Sequence, residues 1–232
     1  MPPAPPQDAD AGAAREHLER LGWRLIARGD WSWVLVDPQG ARAARVTPFD
    51  PAYLMHARAC LEGRPNRWLP RVEAIWPLRR DGYVTVMELL KPAPEAEAAA
   101  FCAALGVGND SGYVPRGAAA ALAPDEDLLI LRDRVEALIA AGARRYRVWG
   151  GSDVRPGNVM MDVQGGLRLV DPVFLSGPKI VEAIQSGRID LLADFSHGQL
   201  EDFLTIPAFT PGPGAEDLRR KLAELFGGAG AA

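Results

Sequence analysis

Cysteine is scarce in this sequence, and Cys60 and Cys102 are the only two in 232 residues. Two thiols without a metal-binding or redox spacing exclude a disulfide framework and predict free cysteines in a reducing compartment. Long apolar runs are absent as well, because no stretch approaches the length of about eighteen residues that a membrane span requires. No basic segment leading into an apolar one opens the chain. We therefore expect a cytoplasmic protein that makes no membrane contact.

An excess of cationic residues is also missing. The chain has 26 Lys and Arg against 30 Asp and Glu, which gives a net charge of -4. Because binding to nucleic acid requires clustered cations, this balance predicts that nucleic acid is not a partner. The hydrophobic share of 48% is sufficient for one large core or for two small lobes around a cleft.

The first part of the chain reads as a sheet with one helix. Residues 1–13 are rich in Pro and Ala and predict a disordered leader. A short helix follows, and then β-branched and apolar clusters separated by turn residues predict five antiparallel strands. A helix that begins at Pro51, after a cap-like Asp50, interrupts the strands. We predict that this lobe covers residues 14–90.

The remainder, residues 91–232, is predicted to be mainly helical. It opens with the stretch KPAPEA, which is typical of a linker, and then shows two helical segments. A small hairpin interrupts the helices, with a turn at Gly165 and Gly166, and further helical segments close the chain. The predicted order is a sheet lobe, a linker, and a helical lobe with a small hairpin at the junction.

Metal-competent oxygen side chains lie at short intervals in GGSDVRPGNVMMDVQGGLRLVDP, residues 150–172. Asp153 precedes Asn158 by five residues, and Asp171 follows thirteen residues later. Mg²⁺ prefers oxygen ligands and takes only one or two protein side chains beside phosphates and water. Phosphoryl transfer needs positioning and charge neutralisation, which this set of side chains can provide. The open alternative is structural, since Asp, Asn, Gly and Pro are all turn formers and Asp171 also ends a strand.

These motifs resemble the protein-kinase-like superfamily, especially small bacterial and phage kinase-like proteins and the aminoglycoside phosphotransferases. DVRPGN matches the catalytic loop D-x-x-x-x-N, and Asp171 of VDP matches the metal-binding Asp. The resemblance implies an α+β, two-lobed fold with an antiparallel sheet plus one helix in the N-lobe and a reduced helical C-lobe. It also implies ATP and Mg²⁺ as cofactors, Asp153 as the catalytic residue, and Asn158 with Asp171 as metal ligands.

Further positions follow from the same resemblance. ARGDWSWV resembles the second half of a Gly-rich loop, which places Gly29, Trp31 and Val34 over the nucleotide. VMELL resembles the segment that links the two lobes, with Met87 as gatekeeper. The backbone of Glu88 to Leu90 would then meet the edge of the adenine.

Several positions depart from the family pattern. Arg45 stands where the family has a strand lysine that pairs with the phosphates, and an arginine fork is not equivalent to an ammonium group. Ala27 replaces the first glycine of the loop, and Gly151 replaces the His that precedes the catalytic Asp by two residues. Glu62, at the end of a helix, is the one candidate for the glutamate that pairs with the strand cation.

Two functions follow from these features. The first is an ATP·Mg-dependent phosphotransferase that acts on an alcohol group, with a protein Ser or Thr hydroxyl preferred over a small-molecule hydroxyl. The second is a pseudokinase, which would serve as a nucleotide-binding or protein-interaction module without turnover. The retained Asp153, Asn158 and Asp171 favour the first, and the changes at Ala27, Arg45 and Gly151 favour the second.

Overall fold

A computed structural model of the chain describes residues 3–112, 122–209 and 213–227. Its helices are α1 (Ala11–Arg20), α2 (Pro51–Glu62), α3 (Glu95–Leu105), α4 (Glu126–Arg145), α5 (Gly177–Ser186), α6 (Ile189–Leu192), α7 (His197–Phe203) and α8 (Pro213–Gly227). Its strands are β1 (Arg24–Arg28), β2 (Trp33–Val36), β3 (Arg42–Thr47), β4 (Val72–Pro77), β5 (Tyr83–Glu88), β6 (Lys91–Pro92), β7 (Trp149–Ser152), β8 (Val159–Met161), β9 (Leu167–Leu169) and β10 (Val173–Leu175). Over these residues, no helix combines the length and the apolar composition needed to cross a membrane.

The first five strands form one sheet in the order β1-β2-β3-β5-β4. Strand β2 pairs antiparallel with β1 on one side and with β3 on the other. Strand β1 lies at the edge and is exposed along its whole length, which suits the arginines Arg24 and Arg28 at its two ends. The predicted α+β fold, with a five-stranded sheet before a mainly helical part, is confirmed.

Helix α1 begins earlier than the sequence predicted. Asp10 accepts a hydrogen bond from the backbone N–H of Ala13 at 2.8 Å, so that it caps the helix and Ala11 becomes its first residue. Ala11 and Ala14 are buried, and this burial favours extending the helix toward its N-terminus. Three residues that were predicted to belong to the leader are therefore helical.

Two smaller sheets accompany the helices. Strand β7 pairs antiparallel with β10, and β8 pairs antiparallel with both β6 and β9. The predicted hairpin is therefore present as β8 and β9, and Gly165 in its turn has a φ of 89°, a backbone conformation that favours glycine. A buried core of Phe101, Leu128, Leu131 and Leu169 packs α3 and α4 against this hairpin.

Contacts divide the chain into two compact units. The first consists of Met1–Pro51, Ile75–Val86 and Ser176–Ala232, and the second of Ala52–Ala74 and Met87–Leu175. This division differs from the predicted lobes, which placed every residue after residue 90 in one helical lobe. The reason is a cluster of aromatic rings, in which Phe195 and Phe203 pack edge-on against Phe49, with ring centroids 5.4 and 6.0 Å apart.

Candidate active site

The loop that carries Asp153 lies between two short strands of the second unit. Strand β7 ends at Ser152, and a 3₁₀ turn over Pro156–Asn158 then leads directly into β8. The backbone N–H of Asn158 donates to the carbonyl oxygen of Arg155 at 2.9 Å, which closes the turn. Pro156 suits the first position of this turn because its φ is already fixed. The motif thus forms a loop between β7, which pairs with β10, and β8, which pairs with β6 and β9.

Asn158 is the centre of the site. Its Nδ2 donates to the carbonyl oxygen of Asp153 at 2.8 Å, to the carboxylate Oδ2 of Asp153 at 2.7 Å, and to the carbonyl oxygen of Asp171 at 2.9 Å. The side chain is buried, with 9% of the residue exposed. Because one amide joins both acidic residues, the structure brings the three predicted residues together.

Backbone hydrogen bonds also hold the segments that carry Asp153, Asn158 and Asp171. The N–H of Asp153 donates to the carbonyl oxygen of Pro172 at 2.8 Å, and the N–H of Val170 donates to the carbonyl oxygen of Asn158 at 3.0 Å. The register of β8 with β9, in which Val159 faces Leu169, holds the chain in place just before Asp171. The site therefore rests on backbone hydrogen bonds and does not depend on side-chain contacts alone.

The carboxylate of Asp153 is engaged at both oxygens. Asn158 donates to Oδ2, and the guanidinium Nε of Arg155 donates to Oδ1 at 2.8 Å. The Asp153 side chain is 15% exposed and the Arg155 side chain 43% exposed, so the ion pair lies at the edge of solvent. A carboxylate held in this way keeps one orientation, and an exposed arginine beside it adds positive charge where an anionic ligand would bind.

Asp110 is a residue of this site that the sequence did not single out. Its backbone N–H donates to the carbonyl oxygen of Ser152 at 2.9 Å, and its Oδ2 accepts from the N–H of Ser152 at 2.8 Å. Ser152 immediately precedes Asp153, so Asp110 holds the start of the loop that carries Asp153. The signal that could have indicated such a contact is Gly151, the position where the predicted family has a His.

A second group that the sequence missed surrounds Arg168. Its Nε donates to Glu88 Oε1 at 3.3 Å, and its other nitrogens bond to Asp162 and to the carbonyl oxygen of Arg67. Burial raises the pKa of Asp162, but the N–H groups of Gly166 and nearby backbone and the charge of Arg168 outweigh it, so the pKa lies below its usual value. This network ties the end of β5 to the β8–β9 hairpin.

The predicted linking segment lies at the end of β5. Met87 is buried, and the N–H of Glu88 donates to the carbonyl oxygen of Arg71 at 3.1 Å. The Glu88 carboxylate accepts from the N–H of Arg71 at 2.8 Å as well as from Arg168. Leu90 is partly exposed and directly precedes β6. The roles of Met87, Glu88 and Leu90 toward adenine stay predictions.

The other predicted nucleotide-binding residues belong to the first unit. Gly29 and Trp31 lie in the turn between β1 and β2, where the N–H of Gly29 donates to the carbonyl oxygen of Ser32 at 2.9 Å. Val34 on β2 directly faces Arg45 on β3. The structure therefore places Val34 and Arg45 side by side, and the role of all four residues toward a nucleotide stays a prediction.

Arg45 has an acidic partner close to it in the chain. Its guanidinium NH2 donates to Asp50 Oδ2 at 3.1 Å, and the two side chains are only 14% and 8% exposed. The tyrosine hydroxyl of Tyr83 donates to the carbonyl oxygen of Asp50 at 2.7 Å. Glu62 is exposed at the end of α2. The structure therefore pairs Arg45 with Asp50, a residue whose position before Pro51 predicts a helix cap.

The residues present are compatible with Mg²⁺. No group of three or more His, Cys, Asp or Glu side chains that could hold a metal ion occurs among the described residues. The predicted pair, the Asp171 carboxylate and the Asn158 amide, is smaller than such a group. Both offer oxygen donors, and Mg²⁺ takes one or two such protein ligands when phosphates and water supply the rest. We therefore treat Asn158 and Asp171 as residues that fit a magnesium–nucleotide complex.

The sequence matches no protein-family model and no curated protein. Among solved structures, the chain is similar to the aminoglycoside phosphotransferase APH(3'')-Id from Streptomyces rimosus, with 14% identity, a TM-score of 0.35, and coverage of 94% of this chain and 98% of that one. It is also similar to the aminoglycoside phosphotransferase APH(4)-Ia, with 13% identity, a TM-score of 0.34, and coverage of 92% and 83%. A structure of Rad53 in complex with AMP-PNP gives 13% identity and a TM-score of 0.32, with coverage of 90% and 56%.

Identities of 13 and 14% and TM-scores near 0.35 carry no statement about activity. The chemistry of the site rests on its own geometry.

Proposed function

We propose that this chain is an ATP·Mg-dependent phosphotransferase whose acceptor is an alcohol group. The observation that carries the proposal is the position of Asn158, which donates to Asp153 and to Asp171 from a single buried amide. The amide thereby contacts the carboxylate of Asp153 and the backbone carbonyl of Asp171, although twelve residues lie between Asn158 and Asp171 in the chain.

Each of these residues has a role that suits its position. Asp153, held at both carboxylate oxygens, would orient the acceptor hydroxyl and accept its proton. Asn158 and Asp171 would hold Mg²⁺, which supplies neutralisation of phosphate charge when it is bound. Arg155, which lies exposed beside Asp153, would contribute positive charge toward the phosphates.

The acceptor that we prefer is a protein Ser or Thr hydroxyl. The described residues of the connection between α3 and α4, 106–112 and 122–125, carry two carboxylates: Asp110 is bonded to Ser152, and Asp125 caps α4. A polycationic small molecule would need several acidic side chains around the acceptor position. A protein hydroxyl makes no such demand on this part of the site.

A pseudokinase is the second candidate, and the pairing of Arg45 favours it. The guanidinium already contacts Asp50 in a largely buried ion pair, so phosphate would have to compete for it. A chain that binds nucleotide without turnover can retain Asn158 and Asp171 only to bind the nucleotide and its Mg²⁺. Turnover therefore distinguishes the two candidates, whereas nucleotide binding does not.

Calorimetric titration of the purified chain with ATP, with and without Mg²⁺, tests the shared part of the proposal. We expect binding that requires Mg²⁺ and that Asp171→Ala abolishes. The matched control is Asp190→Ala, because Asp190 is exposed and pairs with Arg188 outside the site. Binding that is unchanged in Asp171→Ala would show that the metal assignment is wrong.

Transfer of labelled γ-phosphate to a casein mixture then tests turnover. We expect incorporation with the native chain and a loss of at least about a hundredfold in Asp153→Asn, since a general base contributes roughly 10²–10⁴-fold to such reactions. Binding of ATP without transfer to any protein or to a panel of small alcohols would favour the pseudokinase. The variant Arg45→Lys separates the two candidates further. An active enzyme adapted to Arg should not bind ATP more tightly after this change, whereas a degenerate site can gain affinity for ATP.

A further inference from the structure

Strand β1 forms one of the two edges of the five-stranded sheet, because it pairs with β2 alone in the order β1-β2-β3-β5-β4. All five of its residues are exposed. An edge strand presents a row of backbone N–H and C=O groups on its free side, and these groups can pair with a further strand. Strand β1 therefore offers a backbone template of the kind to which an extended peptide can add.

The middle of this strand is apolar as well as exposed. Leu25 is 46% exposed and Ile26 is 48% exposed, and Ala27 beside them is also exposed. Neither Pro nor Gly interrupts the strand. Exposed apolar side chains on an edge strand favour association with another chain, because a partner that pairs there also buries their surface. The edge thus combines backbone groups for pairing with side chains that gain from being covered.

The opposite edge of the sheet differs in both respects. Strand β4 ends in Pro77, which has no N–H to donate to a further strand. The first and third residues of β4 are buried. Of the two edges, β1 is therefore the one whose composition permits pairing along its whole length.

The charge of β1 selects the kind of partner. Arg24 and Arg28 stand at its two ends, and no acidic residue lies between them. In the register with β2, Arg24 faces Val36 and Arg28 faces Trp33, whereas Ile26 is skipped. Directly opposite residues share a face of the sheet, and residues three positions apart on a strand lie on opposite faces. Each face of the edge therefore carries one cation.

A second copy of this chain is a poor occupant for the edge. Antiparallel pairing of two β1 strands about a two-fold axis would bring Arg24 of each copy opposite Arg28 of the other. Like charges directly opposite each other destabilise a sheet. A strand that carries carboxylates on both faces would instead meet an opposite charge on each face.

We propose that β1 is a docking site for an extended acidic segment of another protein, which adds to the sheet as a sixth strand. Backbone hydrogen bonds would hold the segment in place, Leu25 and Ile26 would contact its apolar side chains, and the two arginines would pair with its carboxylates. The inference goes beyond the proposed phosphotransferase and does not depend on it, because residues 24–28 have no role in that proposal.

The test measures binding of a fluorescein-labelled peptide to the full chain by fluorescence anisotropy. The probe has about eight residues in which Glu and Val alternate, a length within the usual range of strands. The matched peptide has the same sequence with N-methyl groups on two adjacent central residues. Because the N–H groups of adjacent residues point to opposite edges of a strand, this change blocks pairing on both edges and keeps the charge.

The matched variants of the chain are Arg24→Glu and Arg58→Glu. Arg24 is chosen because Arg28 also donates to the carbonyl oxygen of Pro207. Arg58 is exposed on α2, outside the sheet, so its substitution makes the same change of charge elsewhere. Urea denaturation checks that both variants remain folded, and the two peptides test the proposal on the native chain in any case.

We expect the native chain to bind the probe and to bind the N-methylated peptide at least about tenfold more weakly, since the backbone hydrogen bonds are lost. Arg24→Glu should weaken binding of the probe at least about fivefold, and Arg58→Glu should change it by less than about twofold. Saturating probe should also slow hydrogen exchange of the amides in β1.

Three results would overturn the proposal. Absence of binding would remove the docking site, and equal binding of the two peptides would show that charge alone attracts them. Equal effects of Arg24→Glu and Arg58→Glu would place the peptide away from β1. Slower exchange of the β1 amides when the chain is concentrated without peptide would identify a second copy as the occupant, and this too would contradict the choice of an acidic partner.

Discussion

The carboxylate of Asp110 lies in the space that a side chain at Gly151 would occupy. A Cβ built on Gly151 would be 2.3 Å from Asp110 Oδ2 and 2.9 Å from its Cβ. Gly151 also has a φ of 103°, a backbone conformation that residues with side chains rarely adopt. The predicted family has a His at this position. In this chain a residue from the α3–α4 connection reaches into that place and bonds to the N–H of Ser152 instead.

Gly151→Ala should therefore destabilise the chain more than an ordinary glycine substitution. The left-handed backbone alone costs roughly 1–2 kcal/mol, and the overlap with Asp110 adds on the order of 1–3 kcal/mol. The control is Gly165→Ala, where φ is 89° and no atom lies within 4 Å of an added Cβ. Urea denaturation measures both variants.

The double variant Gly151→Ala/Asp110→Ala distinguishes overlap from backbone strain. If the Asp110 side chain is the obstacle, the double variant is less destabilised than the sum of the two single variants. Additive effects would mean that Gly151 is required for its backbone conformation alone. ATP binding measured on the same proteins shows whether the loop before Asp153 keeps its geometry.

Much of the site was predictable because it is local in the chain. Asn158 lies five positions after Asp153, and a hairpin with Gly165 in its turn returns the chain to place Asp171 beside them. Local spacing and turn chemistry are enough to fix such an arrangement. The same reasoning gave the five-stranded sheet, whose strands are punctuated by turn residues.

The contacts that the sequence did not reveal join distant segments or compete with local alternatives. Asp110 reaches Ser152 across 42 residues, and nothing in the pattern around it marks it as buried or periodic. Asp50 is a residue type that commonly caps helices, and it stands directly before Pro51, but its carboxylate pairs with Arg45 on β3. Ser176–Ala232 belongs to the same compact unit as most of the sheet because aromatic rings pack against Phe49. The periodicity of the sequence does not indicate this packing.

Asn158→Asp should weaken the fold even though it is nearly isosteric. The native amide donates to three oxygens, and a carboxylate would instead place negative charge against the carboxylate and carbonyl of Asp153 and the carbonyl of Asp171. Leaving buried acceptors unpaired costs about 1–3 kcal/mol for each group. We expect a loss of roughly 2–4 kcal/mol in the free energy of unfolding.

The matched control for this variant is Gln164→Glu, an amide-to-acid change on an exposed residue of the β8–β9 turn. Its free energy of unfolding should stay within about 0.5 kcal/mol of the native value. Equal effects of the two variants would contradict the assignment of Asn158 as the centre of the site. Raising the Mg²⁺ concentration should partly restore Asn158→Asp, because a bound cation offsets the added charge.

The two cysteines should be nearly inert toward alkylation while the chain is folded. Both are free thiols, and burial raises the pKa of each from 9.0 to about 12. At pH 8 the thiolate fraction is then about a thousandfold smaller than for an ordinary thiol, and only the thiolate reacts. Iodoacetamide labelling followed by mass spectrometry should show slow modification of Cys60 and Cys102, and rapid modification in urea.

The same pKa values give a direction for stability at alkaline pH. The unfolded chain loses both thiol protons as pH rises through 9, whereas the folded chain keeps them up to about 12. Stability must therefore fall as pH rises between these values. The variant Cys60→Ala/Cys102→Ala should show a smaller fall over this range in urea denaturation. If the free energy of unfolding fell equally steeply with pH in the native chain and in the variant, the thiols would be as exposed in the fold as in the unfolded chain.

Arg168→Gln should be among the most destabilising changes outside the motif itself. The side chains of Arg168, Glu88 and Asp162 are 17%, 12% and 4% exposed, so removal of the cation leaves two carboxylates close together in a poorly solvated place. Loss of one partner from a buried ion pair typically costs about 3–5 kcal/mol. Urea denaturation should show a loss of this order.

Arg188→Gln is the matched control for Arg168→Gln. Arg188 also pairs with an acidic residue, Asp190, but their side chains are 57% and 65% exposed, and such exposed pairs contribute little to stability. Because the pKa of Asp162 is lowered in the fold, the stability contributed by its ionised form is present above its unfolded pKa and is lost as pH falls through the folded one. Arg168→Gln should therefore lose less stability than the native chain when pH is lowered from 6 toward about 3. An equal loss in both proteins would contradict the role of Arg168 in keeping Asp162 ionised.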